Sequence, residues 1–214
     1  MAQPFPALRR DTGDAPLRCA ILISGSGSGM AAMIRHQASN TDCGHHTVLV
    51  LSDRPDAGGL ERARALGVEA TSIPLPSDET NSKNRRESHE RLVHEKLVSE
   101  GIELVILSGY MRLLSPWFIH KWAPNILNIH PSLLPAFPGA HAHRDVLRAK
   151  VRVSGCTVHC VDEGMDTGEI LAQRRVPVFP DDTEASLSAR VKVEEHTLYP
   201  QVIDSLINPD VEGD

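Results

Sequence analysis

The chain lacks any apolar run approaching the ~20 residues that a membrane-spanning helix requires; its richest stretches are as short as Ala20 to Ile23. Its N-terminus lacks the continuous apolar segment of a secretory signal peptide. Positive charge is not in excess either: 22 Lys and Arg stand against 28 Asp and Glu, a formal net charge of −6, so nothing draws the protein as a whole to phosphate backbones or anionic membranes. Cysteine is scarce, and Cys19, Cys43, Cys156 and Cys160 follow no disulfide-framework spacing. These absences give the expectation of a soluble, reduced, cytoplasmic protein with no membrane attachment and no nucleic-acid partner.

What is present is a repeating alternation. The 214 residues suit one large or two small domains, and a single domain is the simpler reading. Residues 1–17 carry three prolines without periodicity and read as a mobile tail. The run Cys19 to Ile23 suits a strand buried on both faces, and Met30 to Gln37 a helix behind a glycine-rich turn. Strands follow at Thr47 to Leu51, Ala70 to Ile73, Ile102 to Leu107 and Ile126 to Ile129. Helices are expected at Gly59 to Leu66, Arg85 to Ser99 and His141 to Lys150. Two β segments, Val153 to Val161 and Glu169 to Val178, are close enough in sequence to pair antiparallel. A last amphipathic helix covers about Glu184 to Ile207, with Pro200 expected to kink or split it. The fold class is therefore α/β: three layers, a mostly parallel sheet with helices on both faces, and antiparallel strands toward the C-terminus. One domain over 18–207 and a short tail at 208–214 complete the organisation. Ligands are expected outside the carboxyl ends of the parallel strands.

Three segments could carry chemistry there. Ser24-Gly25-Ser26-Gly27-Ser28-Gly29 joins a strand end to a helix start, where converging backbone N–H groups and the helix dipole suit one phosphate. A flexible turn is the plainer alternative. Met30 stands where a dinucleotide fingerprint wants its third glycine, and the lysine of a P-loop is absent, so a monophosphate is the better fit. Asn128-Ile129-His130-Pro131-Ser132-Leu133-Leu134-Pro135 begins on a strand, where alternation puts an amide donor (Asn128) and an imidazole (His130) on the same face. Such a pair can polarise a carbonyl, although a hydrogen-bonded structural histidine would look the same. Asp162-Glu163-Gly164-Met165-Asp166-Thr167-Gly168 is an acidic turn. One of its carboxylates could hold His130 protonated, and charge alone does not say which. His141, His143 and His159 lie in the same region, and Cys43-Gly44-His45-His46 forms a separate Cys/His cluster. Neither group has a four-ligand zinc spacing, so no metal is expected.

The string from Asn128 to Gly139, with Asp166-Thr167-Gly168 behind it, resembles the folate-dependent formyltransferase family, and within it the members that formylate glycinamide ribonucleotide in purine synthesis. The likeness runs from about residue 18 to 207. It takes in the early glycine turn, Leu107-Ser108-Gly109-Tyr110-Met111-Arg112-Leu113-Leu114, and Glu194-Glu195-His196. The resemblance implies a Rossmann-like formyltransferase fold and Asn128, His130 and Asp166 as catalytic trio. It places the substrate phosphate on Gly27, Ser28 and Gly29, and the ribose on Glu195 with Lys192 nearby. The pterin of the cosubstrate 10-formyltetrahydrofolate falls to Met111, Arg112, Leu113, Leu114, Asn128 and Asp162, and its anionic tail to Arg85 or Arg86. Ser26 and Gly29 replace the two asparagines usual in the family's Gly-Asn-Gly-Ser-Asn turn, which removes any side-chain contact those made and leaves the backbone contacts. The implied partners are small molecules, glycinamide ribonucleotide and the formyl folate, and a homodimer is compatible with the reading. Two other outcomes remain open on the same residues: delivery of the formyl group to water or to a different amine, and nucleotide binding without catalysis.

Overall fold

The computed structural model describes residues 15–41, 43–77 and 81–207. The ends assigned to tails, 1–14 and 208–214, lie outside them. Five strands, β1 (Leu17–Ile23), β2 (His45–Ser52), β3 (Glu69–Ser72), β4 (Leu104–Leu107) and β5 (Ile126–His130), pair in parallel in the order β3-β2-β1-β4-β5. Antiparallel β6 (Val153–Cys160) and β7 (Ile170–Pro177) extend the sheet beyond β5, as their short connection anticipates. The first strand begins one residue inside the expected tail: Leu17 is fully buried and donates its N–H to the Gly44 carbonyl.

Helices cover both faces. On one side α1 (Ser28–Ser39), α2 (Gly58–Ala65), α5 (Ala142–Arg148) and α6 (Glu184–Ile207) bury Met33, Leu60, Val146, Leu187 and Ile203 against the sheet. On the other, α3 (Ser82–Ser99) and α4 (Pro116–Trp122) contribute Val93, Leu97, Phe118 and Trp122. Because both faces are covered, β1 and β4 are buried along nearly their whole length, which is why they read as unbroken apolar runs.

Two differences from the sequence reading have clear causes. The short helix α4 went unseen, although Ser115-Pro116 is a helix start: the Ser115 hydroxyl accepts from Phe118 N–H at 3.3 Å and Pro116 occupies the first turn. Buried Glu90 of α3 fixes the same cap, accepting from Ser115 N–H at 2.8 Å. Pro200 does not split α6, which runs as one element from Glu184 to Ile207 with Pro200 buried. Packing on β6, β7 and α1 outweighs the loss of one backbone hydrogen bond. No helix among the described residues is long and apolar enough to cross a membrane.

Candidate active site

The strand order changes direction between β1 and β4, whose following helices lie on opposite faces of the sheet. A crevice therefore opens at their carboxyl ends. The glycine turn sits there. Gly27 adopts a left-handed conformation (φ 66°, ψ 37°) and begins α1 without any side-chain cap, so the first N–H groups of the helix are left for a ligand. A Cβ on Gly27 would come within 3.1 Å of Gly59 Cα and 2.7 Å of Met30 Cε, which explains why the turn needs glycine at this position. The turn is tied to its surroundings by Ser24, whose hydroxyl donates to buried Asp53 at 2.6 Å and accepts from Met111 N–H at 2.9 Å. Arg112 Nε donates to the other Asp53 oxygen at 2.7 Å. Asp53, at the end of β2, thus joins the glycine turn to the loop after β4, a role that required knowing which strands are neighbours.

At the end of β5, Asn128 and His130 share a face, and Asp166 comes up from the β6–β7 turn. His130 Nε2 lies 2.8 Å from the Phe137 carbonyl, which can only accept, so Nε2 carries a proton. Its Nδ1 faces Asp166 Oδ2 at 3.3 Å. A carbonyl on one ring nitrogen and a carboxylate on the other are both satisfied by the imidazolium form. Asp166 is held in a left-handed conformation (φ 56°) and its Oδ2 accepts from Gly139 N–H at 2.8 Å. Of the three carboxylates in the turn it is Asp166 that meets His130. Asp162 instead accepts from Thr167 Oγ1 at 2.8 Å and from Gly164 N–H at 3.1 Å, shaping the turn itself.

Sequence reasoning left His159 without a role, and the structure supplies one. It is the cross-strand partner of Asn128. Its Nδ1–H donates to the Cys160 carbonyl at 2.8 Å, so Nε2 offers a lone pair that accepts from Asn128 Nδ2 at 3.1 Å. Burial pushes the His159 pKa down, outweighing the Cys160 carbonyl and Asp166, which keeps the ring neutral and the amide oriented. The loop Pro131 to Pro135 is anchored by Thr157, whose hydroxyl donates to Ser132 O at 2.7 Å and accepts from Leu134 N–H at 3.0 Å.

Other expected residues fall into two groups around this centre. Lys192, Glu195 and His196 share one face of α6, and His196 Nε2 lies 3.4 Å from the Ser28 hydroxyl, which brings that face to the start of α1. Burial raises the Glu195 carboxyl to about 7, against a smaller opposing pull from Lys192. Met111 and Leu113 are exposed on the loop after β4, Leu114 packs inward, and Met165 is exposed across the site. Leu134, Pro138, Met165 and Ile170 line a cavity of about 180 Å³ beside Asp166. Arg85, in the first turn of α3, has a buried Nε with no hydrogen-bond partner among the described residues. A wider, more open cavity of about 810 Å³ runs along Ser72 to Ser77 and Leu92, but none of its described lining residues is titratable.

Residues 17–203 match the family model described as formyl transferase. The chain belongs to this family. It is 43% identical over 185 residues to phosphoribosylglycinamide formyltransferase of Escherichia coli K12, covering 86% of this chain and 84% of that one. The crystal structure of glycinamide ribonucleotide transformylase 1 from Symbiobacterium toebii superimposes with a TM-score of 0.85 at 40% identity, over 93% of this chain and 91% of the other. A trifunctional purine biosynthetic protein, adenosine-3 of Chironomus tentans, is 41% identical over 187 residues; the match takes in 87% of this chain and 13% of that protein. The chain thus corresponds to one part of the trifunctional relatives and to nearly all of the shorter ones.

Proposed function

We propose that the protein transfers the formyl group of 10-formyltetrahydrofolate to the amine of 5'-phosphoribosylglycinamide, acting as a single domain over residues 18–207 on small molecules in the cytoplasm. The observation that carries this reading is the meeting of Asn128, His130 and Asp166 beside an uncapped, glycine-rich helix start. The first set suits a carbonyl undergoing attack, and the second suits a phosphate.

In this mechanism the ribonucleotide phosphate rests on the N–H groups of Ser28 and Gly29, with Gly27 making the turn, and its ribose hydroxyls meet Glu195 with Lys192 alongside. The pterin lies against Met111, Arg112, Leu113 and Leu114 and the Asp162 turn, with Arg85 toward the glutamate tail. The neutral amine of the substrate attacks the formyl carbon, forming a C–N bond while the carbonyl electrons move to oxygen. The Asn128 N–H not engaged by His159 donates to that oxyanion, a contribution of typically ~2.7–4 kcal/mol for such a donor, and the positive charge of the protonated His130, whose two N–H groups face Phe137 O and Asp166, stabilises it through space. Asp166, through water, accepts the proton leaving the amine. Collapse of the tetrahedral intermediate breaks the bond to N10 of the folate, which takes up a proton as it leaves. Binding both reactants in one crevice turns a two-body encounter into a step within one complex.

The test is an absorbance assay of 10-formyltetrahydrofolate consumption with glycinamide ribonucleotide, with other amines, and with no amine. Rapid consumption that requires glycinamide ribonucleotide and yields its formylated product is expected. Equal consumption without any amine would instead make the protein a hydrolase of formyl folate.

A further inference from the structure

At the amino-terminal edge of the sheet, opposite to the catalytic crevice, four side chains converge from three parts of the chain. His36 comes from the last turn of α1, Cys43 and His45 from the entry to β2, and Asp204 from the last turn of α6. Asp204 receives both imidazoles, His36 Nε2 at 2.7 Å on Oδ2 and His45 Nε2 at 3.0 Å on Oδ1, and Cys43 Sγ stands 3.9 Å from Oδ1. One donor atom from each of the four lies within 4.8 Å of the others. His45 is wholly buried, while His36 and Asp204 have side chains about one-third exposed, which leaves a path from solvent.

We propose that His36, Cys43, His45 and Asp204 form a binding site for a divalent transition metal of the zinc class. Two imidazoles, a thiolate and a carboxylate make a complete four-coordinate donor set for such an ion. With metal–ligand bonds of about 2.0–2.3 Å, donors around a tetrahedral centre stand roughly 3.3–3.8 Å apart. The observed separations, from 2.7 Å to no more than 4.8 Å, bracket that range, so loading requires some donors to part and others to close by up to about 1 Å, within reach of side-chain movement. Charge favours it as well: with Cys43 as thiolate and Asp204 as carboxylate the site neutralises a dication, and without the ion Cys43 keeps its proton and points it at Asp204. His46, adjacent in sequence, takes no part, because strand alternation turns it to solvent.

The groups behind the ligands make a sharper statement possible. Gln37 Oε1 accepts from Thr47 N–H at 3.0 Å, so its Nε2 is the atom facing His45 Nδ1 at 2.7 Å. Nδ1 is then an acceptor and the ring proton sits on Nε2, toward Asp204. A metal on Nε2 displaces that proton: Nδ1 becomes N–H and Gln37 must turn its oxygen to it. Binding also releases the Cys43 thiol proton. Gln37→Glu would offer acceptors to Thr47 N–H and to His45 Nδ1–H at once, the arrangement that supports many zinc-binding histidines.

Tag-free protein stripped with a chelator is titrated with Zn²⁺ against a chromophoric competitor, and with Co²⁺ while its spectrum is recorded. One ion per chain is expected, with the intense bands of four-coordinate cobalt and a thiolate-to-cobalt charge-transfer band that disappears in Cys43→Ser. His36→Ala should weaken zinc by more than the roughly 10–100-fold worth of a group behind a ligand, and Gln37→Glu should strengthen it by about that factor. Formyl transfer should be unchanged in all three variants, since the site lies at the far edge of the sheet. Absence of stoichiometric binding overturns the assignment, as does zinc affinity indifferent to both Cys43→Ser and His36→Ala in variants with native circular dichroism. Tighter zinc in Gln37→Glu is a result that a purely structural cluster would not give.

Discussion

Asp166 uses one carboxylate oxygen, Oδ2, both to accept from the Gly139 N–H at 2.8 Å and to face His130 Nδ1 at 3.3 Å, while Oδ1 stands 3.8 Å from His159 Nε2. A single half-buried carboxylate thereby serves the loop after β5 and the His130 ring at once. Its removal should separate the two functions.

Asp166→Asn keeps shape and removes charge. In the proposed mechanism the imidazolium of His130 then loses its counterion and the departing amine proton loses its acceptor, so the chemical step should fall by about 10²–10⁴-fold, the range for a positioned acid or base. Ribonucleotide affinity should change little, because the proposed phosphate and ribose contacts lie on α1 and α6. Single-turnover rates and calorimetric binding measure the two separately. Near wild-type turnover in folded Asp166→Asn would remove the carboxylate from the mechanism.

His159→Phe keeps the ring volume and removes the acceptor that orients Asn128. One lost hydrogen bond is worth roughly 0.5–1.5 kcal/mol, so kcat should fall by up to about tenfold with KM for both substrates nearly unchanged. The pH profile supplies the discriminating signature. The wild-type ring is neutral because burial holds its pKa below the usual 6.5, and protonation at lower pH fills Nε2 and ends its bond to Asn128. An acid-side loss of kcat present in the wild type should therefore weaken in His159→Phe. An unaltered acid limb would assign that limb to another group.

How far these residues could be read from sequence follows from the range of the interactions involved. Alternation along β5 was enough to put Asn128 and His130 on one face, and the buried runs of β1 and β4 declared a covered parallel sheet. Both are local periodicities. His159 was beyond reach because its role depends on the β5–β6 register, which pairs residues 31 apart. Charge alone did not separate Asp166 from Asp162; the resemblance pointed to Asp166, and the left-handed backbone there accompanies a side chain turned toward His130. Cys43 and His45 stood out as a cluster, yet Asp204, 159 residues beyond His45, joins them only because α6 packs along α1. The helix α4 is a different case, since Ser115-Pro116 announced it and seven residues were too few to show a period.

Ser28→Asp tests the phosphate site. The first turn of α1 carries no acidic residue, so an aspartate there gains about 0.3–1 kcal/mol from the helix dipole and the fold should be as stable as before or more so. A bound phosphate would meet that charge with a repulsion of about 1–4 kcal/mol at ~4 Å, between the limits of water and a protein surface. Ribonucleotide affinity should drop roughly tenfold or more, with folate affinity retained. Calorimetry that finds both ligands weakened equally, or neither, would move the phosphate elsewhere.

Glu195 yields the clearest pH dependence. Its carboxyl is held at about 7 in the folded chain by burial between α6 and the sheet, against 4.5 for an ordinary glutamate. Between those values the folded state binds a proton that the unfolded state has released, and stability falls with rising pH wherever the folded state is the more protonated. The loss begins near pH 4.5 and is complete above 7. Glu195→Gln is neutral throughout and escapes this penalty, so its melting temperature should exceed that of the wild type at pH 8 and match it below pH 4.5. Function should move the other way. Above pH 7 the free carboxylate is a stronger acceptor for ribose hydroxyls than an amide, so the variant should bind ribonucleotide more weakly there, with the deficit shrinking at pH 6 as the wild-type group takes up its proton. Thermal unfolding and calorimetry at pH 6 and 8 read both effects. Parallel melting curves for the two proteins across this range would mean that Glu195 is solvated and ionised in the free enzyme, and the ribose assignment would then rest on Lys192 alone.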